Sequence, residues 1–116
     1  MADIIDLKEV FERVQDDKEL LLELLDIFQE DFVGKRQALS DAVNSNDLQK
    51  IKGLAHSIKG ASGNISAKSI YANCLKIEEL ARDNQISEIG PILQSLDKQF
   101  EELKIRIVSL KKEFGK

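Results

Sequence analysis

The chain has 116 residues, 42% of them hydrophobic and 33% charged, which suits one domain around one core. Its net charge of −4 argues against nucleic-acid binding, and its apolar runs are too short to span a membrane. The single cysteine excludes an internal disulfide and fits a reducing compartment. The acidic N-terminus lacks the pattern of a signal peptide. We therefore predict a cytoplasmic protein, with residues 1–116 as a single domain.

The charges are unevenly distributed along the chain. Residues 1–34 carry eleven acidic and three basic side chains, whereas residues 47–76 carry five lysines and one aspartate. The second segment is therefore the locally basic part of an acidic protein, and it contains the only histidine.

Two helices are predicted from capping-box patterns that precede apolar side chains at helical spacing. Asp6 with Glu9 opens a short helix, and Asp16 with Glu19 opens a long one over about residues 17–43. The long helix has a nearly heptad apolar seam, which predicts packing along most of its length. This seam consists of Leu21, Leu25, Phe28, Phe32, Leu39 and Ala42.

A third helix is predicted over about residues 47–62. Asn46 is its predicted N-cap, and Gly63 with Asn64 is predicted to end it, because both residue types tolerate left-handed conformations. One stripe of this helix is suited to burial. The stripe consists of Leu48, Ile51, Ala55, Ile58 and Ser62.

Two more helices complete the predicted fold. Ser66 is the predicted N-cap of a helix over about residues 67–84, and Ser87 is the predicted N-cap of the last helix, with Pro91 in its first turn. The predicted seam of this last helix runs from Ile92 to Leu110. Four long amphipathic helices with short connections predict an all-α protein: an up-down-up-down four-helix bundle with a short extra N-terminal helix.

His56 lies in the third predicted helix, on a stripe next to the buried one. The stripe positions three, four or seven residues away are Lys52, Gly53, Lys59, Gly60 and Gly63. Since the two stripes are separated by roughly 100°, the imidazole is predicted to point away from the core. Glycine inside a helix costs about 1 kcal/mol relative to alanine. Three glycines on one stripe therefore indicate that space is needed beside the imidazole.

Several chemistries are disfavoured by what surrounds this histidine in sequence. One histidine and one cysteine do not supply a metal ligand set. Ser57 and Ser62 are near, but no nucleophile elbow or nucleotide-binding phosphate loop is present. An exposed imidazole can still act as a nucleophile toward phosphorus, with lysines ready to pair with the phosphoryl oxygens. The alternative is an ordinary surface or capping histidine.

The string AHSIKGASGN, followed by NCLKIEELAR, closely resembles the histidine-containing phosphotransfer (HPt) domains of two-component phosphorelays. The resemblance implies that His56 is the phosphoacceptor, that Lys59 stabilises the phosphoryl group and that Gly60 clears space beside the ring. In this family an acid or amide on the next helix often bonds the far imidazole nitrogen, and Glu78 has the matching position. The alternative for Glu78 is an i,i+4 pair with Arg82.

One position departs from the family pattern. Relatives often have glycine where this chain has Ser66. The departure bears on the turn after the third helix and leaves the predicted chemistry unchanged.

The resemblance also implies partners. The phosphoryl group would pass between His56 and the aspartate of a response-regulator receiver domain, or come from a sensor histidine kinase. Any Mg²⁺ would lie in the receiver, so we expect no cofactor on this chain, and we expect a monomer. Docking is predicted on the stripe around His56 and on the neighbouring second helix. The predicted docking residues of the stripe are Lys52, Gly53, Ser57, Gly63 and Asn64.

Two alternatives to a stand-alone relay remain open at this stage. The chain has no ATP-binding domain, so it is not expected to be a kinase by itself. It could instead be a scaffold that binds a receiver without being phosphorylated. It could also be an HPt domain excised from a larger histidine kinase.

Overall fold

The computed structural model describes residues 3–115, and all regular elements in that range are helical. The elements are α1 (Leu7–Arg13), α2 (Lys18–Asn44), α3 (Leu48–Asn64), α4 (Lys68–Arg82), a single 3₁₀ turn (Ile86–Glu88) and α5 (Ile89–Phe114). Short connections join successive long helices, so chain neighbours run antiparallel. The predicted all-α bundle with a short N-terminal helix is confirmed.

The core lies along the apolar stripes that the helical periodicity predicts. All six seam residues of α2 are buried, and so are Ile51, Ala55, Ile58 and Ser62 of α3. In α5 the buried residues near the start are Ile89 and Leu93 rather than Ile92, and burial then continues down to Leu110. This packing fixes the rotation of α3 about its axis, so the stripe that carries His56 faces outward.

An aromatic stack joins α2 to α5 within this core. The ring centroids of Phe32 and Phe100 are 4.2 Å apart and nearly parallel, and Phe28 lies 5.9 Å from Phe32 on the other side. Offset stacking at such distances adds about 0.5–1.5 kcal/mol per pair beyond the area that the rings bury.

The first four helices end in the same way, with a left-handed residue that is not glycine. These residues are Gln15, Asn46, Ser66 and Asn84, with φ between 54° and 56°. At each end two backbone N–H groups turn back onto the last helical carbonyls. After α3, for example, Ser66 N–H donates to the Gly63 carbonyl at 3.1 Å and Ala67 N–H to the Ser62 carbonyl at 2.9 Å. This is the Schellman arrangement, which satisfies carbonyls that the helix leaves unpaired.

The left-handed residues after the helices explain why three predicted N-caps are wrong. Asp16 is left-handed, with φ of 62°, and Asp17 instead caps α2 by accepting from Leu20 N–H. Asn46 and Ser66 hold the left-handed position, so the cap passes to the next residue in each case. Asp47 therefore caps α3 by accepting from Lys50 N–H, whereas Ala67 precedes α4 without a side-chain cap. A left-handed position is also where glycine has no steric penalty, so Ser66 holds a backbone conformation that glycine adopts more readily.

Two further boundary predictions are also wrong. Gly63 and Asn64 do not take left-handed positions after α3, because they are its last two helical residues, Ile65 is the C-cap and Ser66 is left-handed. Ser87 does not cap α5, because it lies inside the 3₁₀ turn and Glu88 occupies the N-cap position. Pro91 does lie in the first turn of α5, where its missing N–H needs no partner.

A charged cluster fastens α1 to the beginning of α4. Asp6 caps α1 by accepting from Glu9 N–H, and the Ser66 hydroxyl donates to Glu9 Oε1 at 2.9 Å. Lys68 Nζ pairs with Asp6 Oδ2 at 3.2 Å and with Glu9 Oε2 at 2.9 Å. The Lys68 contact, followed by the Ser66 hydrogen bond, lowers the pKa of Glu9, and the Glu9 contact, followed by that of Asp6, raises the pKa of Lys68.

Lys68→Met should lower Tm by on the order of 1–4 °C at pH 7, since an exposed pair contributes little. A lowered pKa of Glu9 stabilises the folded chain above the ordinary value of 4.5, and this contribution is lost as the pH falls through the lowered value. The raised pKa of Lys68 stabilises the folded chain below the ordinary value of 10.5, and this contribution is lost as the pH rises through the raised value. The difference in Tm between the parent and Lys68→Met should therefore be largest between pH 4.5 and pH 10.5, and it should shrink in acid. Lys76→Met, at an exposed α4 lysine outside the cluster, is the control; a pH-independent difference would contradict this assignment.

Candidate functional site

His56 is presented on the outer surface of α3 with its side chain 72% exposed. Its neighbours Ala55 and Ile58 are buried in the core, so the backbone under the imidazole is fixed. One edge of the ring faces α4, where Nδ1 lies 3.2 Å from Oε2 of Glu78. An ionised carboxylate only accepts hydrogen bonds, so this contact favours the tautomer that carries the proton on Nδ1. The other ring nitrogen, Nε2, is then the one with a free electron pair.

Glu78 has one oxygen on the histidine and the other on a lysine. Its Oε1 is buried and lies 2.6 Å from Nζ of Lys59, an ion-pair contact without a well-aligned hydrogen bond. Both side chains are mostly buried, with Glu78 21% and Lys59 16% exposed. The carboxylate therefore lies between an imidazole and an ammonium group, both supplied by α3.

The ammonium group of Lys59 contacts side chains of α4 and is largely shielded from solvent. The contact with the Glu78 carboxylate is the main reason that the pKa of Lys59 is raised, so this side chain is positively charged at neutral pH. Nζ also lies 5.8 Å from the ring centroid of Tyr71, on the same helix as Glu78, at a distance typical of a cation–π contact. The ammonium group thus lies close to both a carboxylate and an aromatic ring.

The alternative pairing of Glu78 along its own helix is not observed. Arg82 lies near Asp83 instead, with its Nε 3.4 Å from Oδ1 of that residue. Cys74, one turn before Glu78, is buried, and burial raises the pKa of its thiol to about 12. The thiol is therefore neutral and unreactive at physiological pH.

On the opposite side of the imidazole, α2 contributes a second lysine. Lys35 Nζ donates to the hydroxyl oxygen of Ser57 at 2.5 Å and pairs with Asp31 at 2.6 Å. Ser57 is therefore engaged with α2 rather than with the histidine. Lys35 was not among the predicted site residues, although its spacing of seven residues from the buried Phe28 indicates the packed side of α2.

Next to Ser57, α2 and α3 form a shallow apolar groove. Its lining residues are Leu24, Ile27, Phe28, Asp31, Ala61, Asn64 and Ile65. Ile27 is 61% exposed, which is high for an isoleucine within a helix that otherwise buries its apolar seam. Asn64, one of the predicted docking residues, lies in this groove.

The glycines of the stripe differ in their surroundings. A Cβ atom built on Gly53 or Gly60 would meet nothing within 4 Å, so the space beside the imidazole is open. A Cβ on Gly63 would lie 3.5 Å from the ring of Tyr71, so this glycine faces α4. Lys52 is half-buried one turn before His56. The predicted stripe therefore exists, with an open centre and with α4 along one edge.

Residues 3–115 contain no group of three or more side chains that could hold a metal ion. In the same range, none of the helices combines the length and apolar character that crossing a membrane requires. The fold and the site together define a class: a small helical bundle that presents one exposed histidine, backed by a carboxylate and flanked by lysines.

Residues 23–106 match the sequence model of the Hpt domain, and the chain therefore belongs to this family. It is a histidine phosphotransfer protein of the phosphorelay type, and members of the family are phosphotransfer intermediates that interact with histidine kinases and response regulators. The comparison with curated proteins found no significant match.

Two solved structures share the fold. Histidine-containing phosphotransfer protein B (HptB) from Pseudomonas aeruginosa PAO1 is 23% identical, with a TM-score of 0.89 over 98% of this chain and 99% of that one. The HPT domain of the Hpt sensor hybrid histidine kinase from Shewanella is 14% identical, with a TM-score of 0.81 over 97% of each chain. At these identities the similarity concerns the arrangement of the helices.

Proposed function

We propose that His56 accepts a phosphoryl group on Nε2 from the aspartate of a receiver domain and passes it to the aspartate of another. The observation that carries this proposal is the contact between Nδ1 and Glu78 Oε2 at 3.2 Å. A protonated Nδ1 leaves the electron pair on Nε2, and the 72% exposure of the side chain lets a partner approach it. Gly60 leaves the approach open, since its position has no neighbour within 4 Å.

In the proposed transfer, Nε2 attacks the phosphorus atom of an aspartyl phosphate. The bond between phosphorus and the aspartate oxygen breaks, and the carboxylate leaves with the electron pair. The ring keeps its proton on Nδ1 and acquires a positive charge, which the Glu78 carboxylate stabilises. Lys59, three residues further along α3, is proposed to pair with the phosphoryl oxygens. In this account the chain supplies a positioned nucleophile, and the receiver supplies most of the catalysis together with any Mg²⁺.

The partner is proposed to dock on the outer stripe of α3 and on the adjacent face of α2. The stripe contributes Lys52, Gly53, Ser57, Gly63 and Asn64 to this surface. We further propose that residues 1–116 act as one monomeric module in the cytoplasm. A sensor histidine kinase remains the other proposed source of the phosphoryl group.

The function is tested by incubating the protein with a receiver domain that carries radiolabelled phosphate on its aspartate. We expect the label to move to this chain, with the acid-labile and base-stable behaviour of phosphohistidine. A complex that forms while all label stays on the receiver would support the scaffold alternative and contradict the proposal. Phosphorylation of the chain by a purified kinase alone would place it in a relay without identifying the receiver.

Ile27→Glu should reduce transfer from the phosphorylated receiver by about tenfold or more, because a charge in the groove disfavours apolar docking. The matched control is Ile105→Glu in α5, since Ile105 is also an exposed isoleucine, at 72% against 61% for Ile27. The control should transfer at the parent rate with similar helical content. Transfer rates are measured at limiting receiver concentration, and an equal effect of both variants would contradict docking on α2.

A further inference from the structure

The Glu78 carboxylate contacts the His56 imidazole and the Lys59 ammonium group, both on α3, at the same time. Oε2 lies 3.2 Å from Nδ1 of His56, and the buried Oε1 lies 2.6 Å from Nζ of Lys59. The Lys59 ammonium group is therefore already engaged before any phosphoryl group arrives. With its side chain only 16% exposed, this lysine is withdrawn from the solvent that surrounds the imidazole.

We propose that Glu78 forms an ion pair with Lys59 in the unphosphorylated protein. Once His56 is phosphorylated, Lys59 leaves Glu78 and pairs with the phosphoryl group. This inference rests on the proposed function, in which His56 is the phosphoacceptor. It gives Glu78 a role as a positioning residue for the lysine, in addition to its contact with the ring.

The balance of charges supports this exchange. Attack by Nε2 requires a neutral imidazole, and before transfer the Glu78 carboxylate is compensated by Lys59 across 2.6 Å. After attack by Nε2, the ring with its retained Nδ1 proton carries a positive charge, and the phosphoryl group carries about two negative charges. Glu78 can then pair with the cationic ring through Oε2, while Lys59 pairs with the phosphoryl oxygens. Each charge keeps an opposite partner in both states, so the buried carboxylate is never left uncompensated.

The geometry allows the lysine to make this move. Lys59 is three residues after His56, and positions at this spacing are neighbours on a helix surface. Gly60, beside both, leaves open space on the outer side of the helix. The ring of Tyr71 contacts the ammonium group only at 5.8 Å, which leaves the Glu78 ion pair as the short contact that must break.

The test uses phosphoramidate, a chemical phosphoryl donor, so that no partner protein is needed. The rate at which phosphoramidate labels His56 is measured in the parent, Glu78→Gln, Lys59→Ala and the double variant. Glutamine keeps an oxygen that can accept from Nδ1 but removes the charge that holds the lysine. Loss of the carboxylate charge should slow labelling in both backgrounds, because the cationic ring loses its partner. We expect this slowing to be several-fold smaller when Lys59 is present, because Glu78→Gln also frees that lysine for the phosphoryl group.

Equal effects of Glu78→Gln in both backgrounds would overturn the inference, since Glu78 would then act only through the ring. A parent protein that phosphoramidate does not label on His56 would instead contradict the proposed function at its first step. A second measurement needs no substitution: side-chain NMR signals of Lys59 should shift on phosphorylation of the parent, whereas those of Lys104, which is paired with Glu101 on α5, should not. Unshifted Lys59 signals would likewise overturn the inference.

Discussion

His56→Gln should abolish phosphate uptake while the chain stays folded. The imidazole is 72% exposed and lies off the buried stripe of α3, so glutamine replaces it without opening a cavity in the core. We expect the free energy of unfolding to change by no more than about 0.5 kcal/mol, the usual range for surface substitutions. Label transfer from a phosphorylated receiver and thermal unfolding followed by circular dichroism measure the two effects.

A control for this variant is Lys50→Gln, at an exposed position in the first turn of the same helix. It introduces the same side chain into α3 and should accept phosphate at the parent rate. If His56→Gln were labelled as fast as the parent, the phosphoacceptor would have to be another residue. Loss of label accompanied by loss of helical structure would show that the histidine has a structural role, against the exposure seen here.

Gly60→Glu should lower the rate of transfer by about a hundredfold or more while slightly stabilising the chain. Glycine is less favourable than ordinary residues inside a helix by up to about 1 kcal/mol, and a Cβ atom at this position meets nothing within 4 Å. The new side chain would occupy the approach to the imidazole and add a negative charge where the phosphoryl group must arrive. The measurement is the transfer rate from a phosphorylated receiver, together with Tm.

Gly34→Glu provides the matched control for this steric argument. Gly34 is also a helical glycine with nothing within 4 Å of a built Cβ atom, but it lies on α2 near Phe32 and Asp97, away from α3. Both variants should gain a similar amount of stability, and only Gly60→Glu should lose transfer. If transfer survives in Gly60→Glu, the glycines of the stripe do not serve the close approach of a partner.

Helix number and core were predictable because they depend on local periodicity. The seam of α2 and the buried stripe of α3 follow directly from apolar spacing. The seam is observed as predicted, and so is the stripe except for Leu48, which is only partly buried. The caps at Asn46 and Ser66 were not predicted correctly, because residues that favour N-caps also tolerate left-handed conformations. Whether such a residue becomes an N-cap or a left-handed residue depends on the length of the connection between the helices. The connections at Asn46 and Ser66 are short, with one left-handed residue followed directly by the N-cap position.

The candidate site was predictable only in part, because some of its contacts join different helices. The stripe of α3 around His56 depends on spacing within one helix, so its exposure could be inferred from sequence. The partners of Lys59 depend on how α3 and α4 pack, and no local pattern indicates that Glu78 and Tyr71 both lie close to this lysine. The position of Glu78 near the imidazole was inferred from the resemblance to HPt domains rather than from spacing.

The most direct test of the account is to locate the phosphorus atom on the histidine. Protein with ¹⁵N-labelled histidine is phosphorylated and examined by NMR for coupling between ³¹P and each ring nitrogen, which is simple to assign because the chain has only one histidine. We predict coupling to Nε2, with the proton retained on Nδ1 opposite Glu78. Coupling of phosphorus to Nδ1, or no phosphorus–nitrogen bond after transfer from a receiver, would contradict the account.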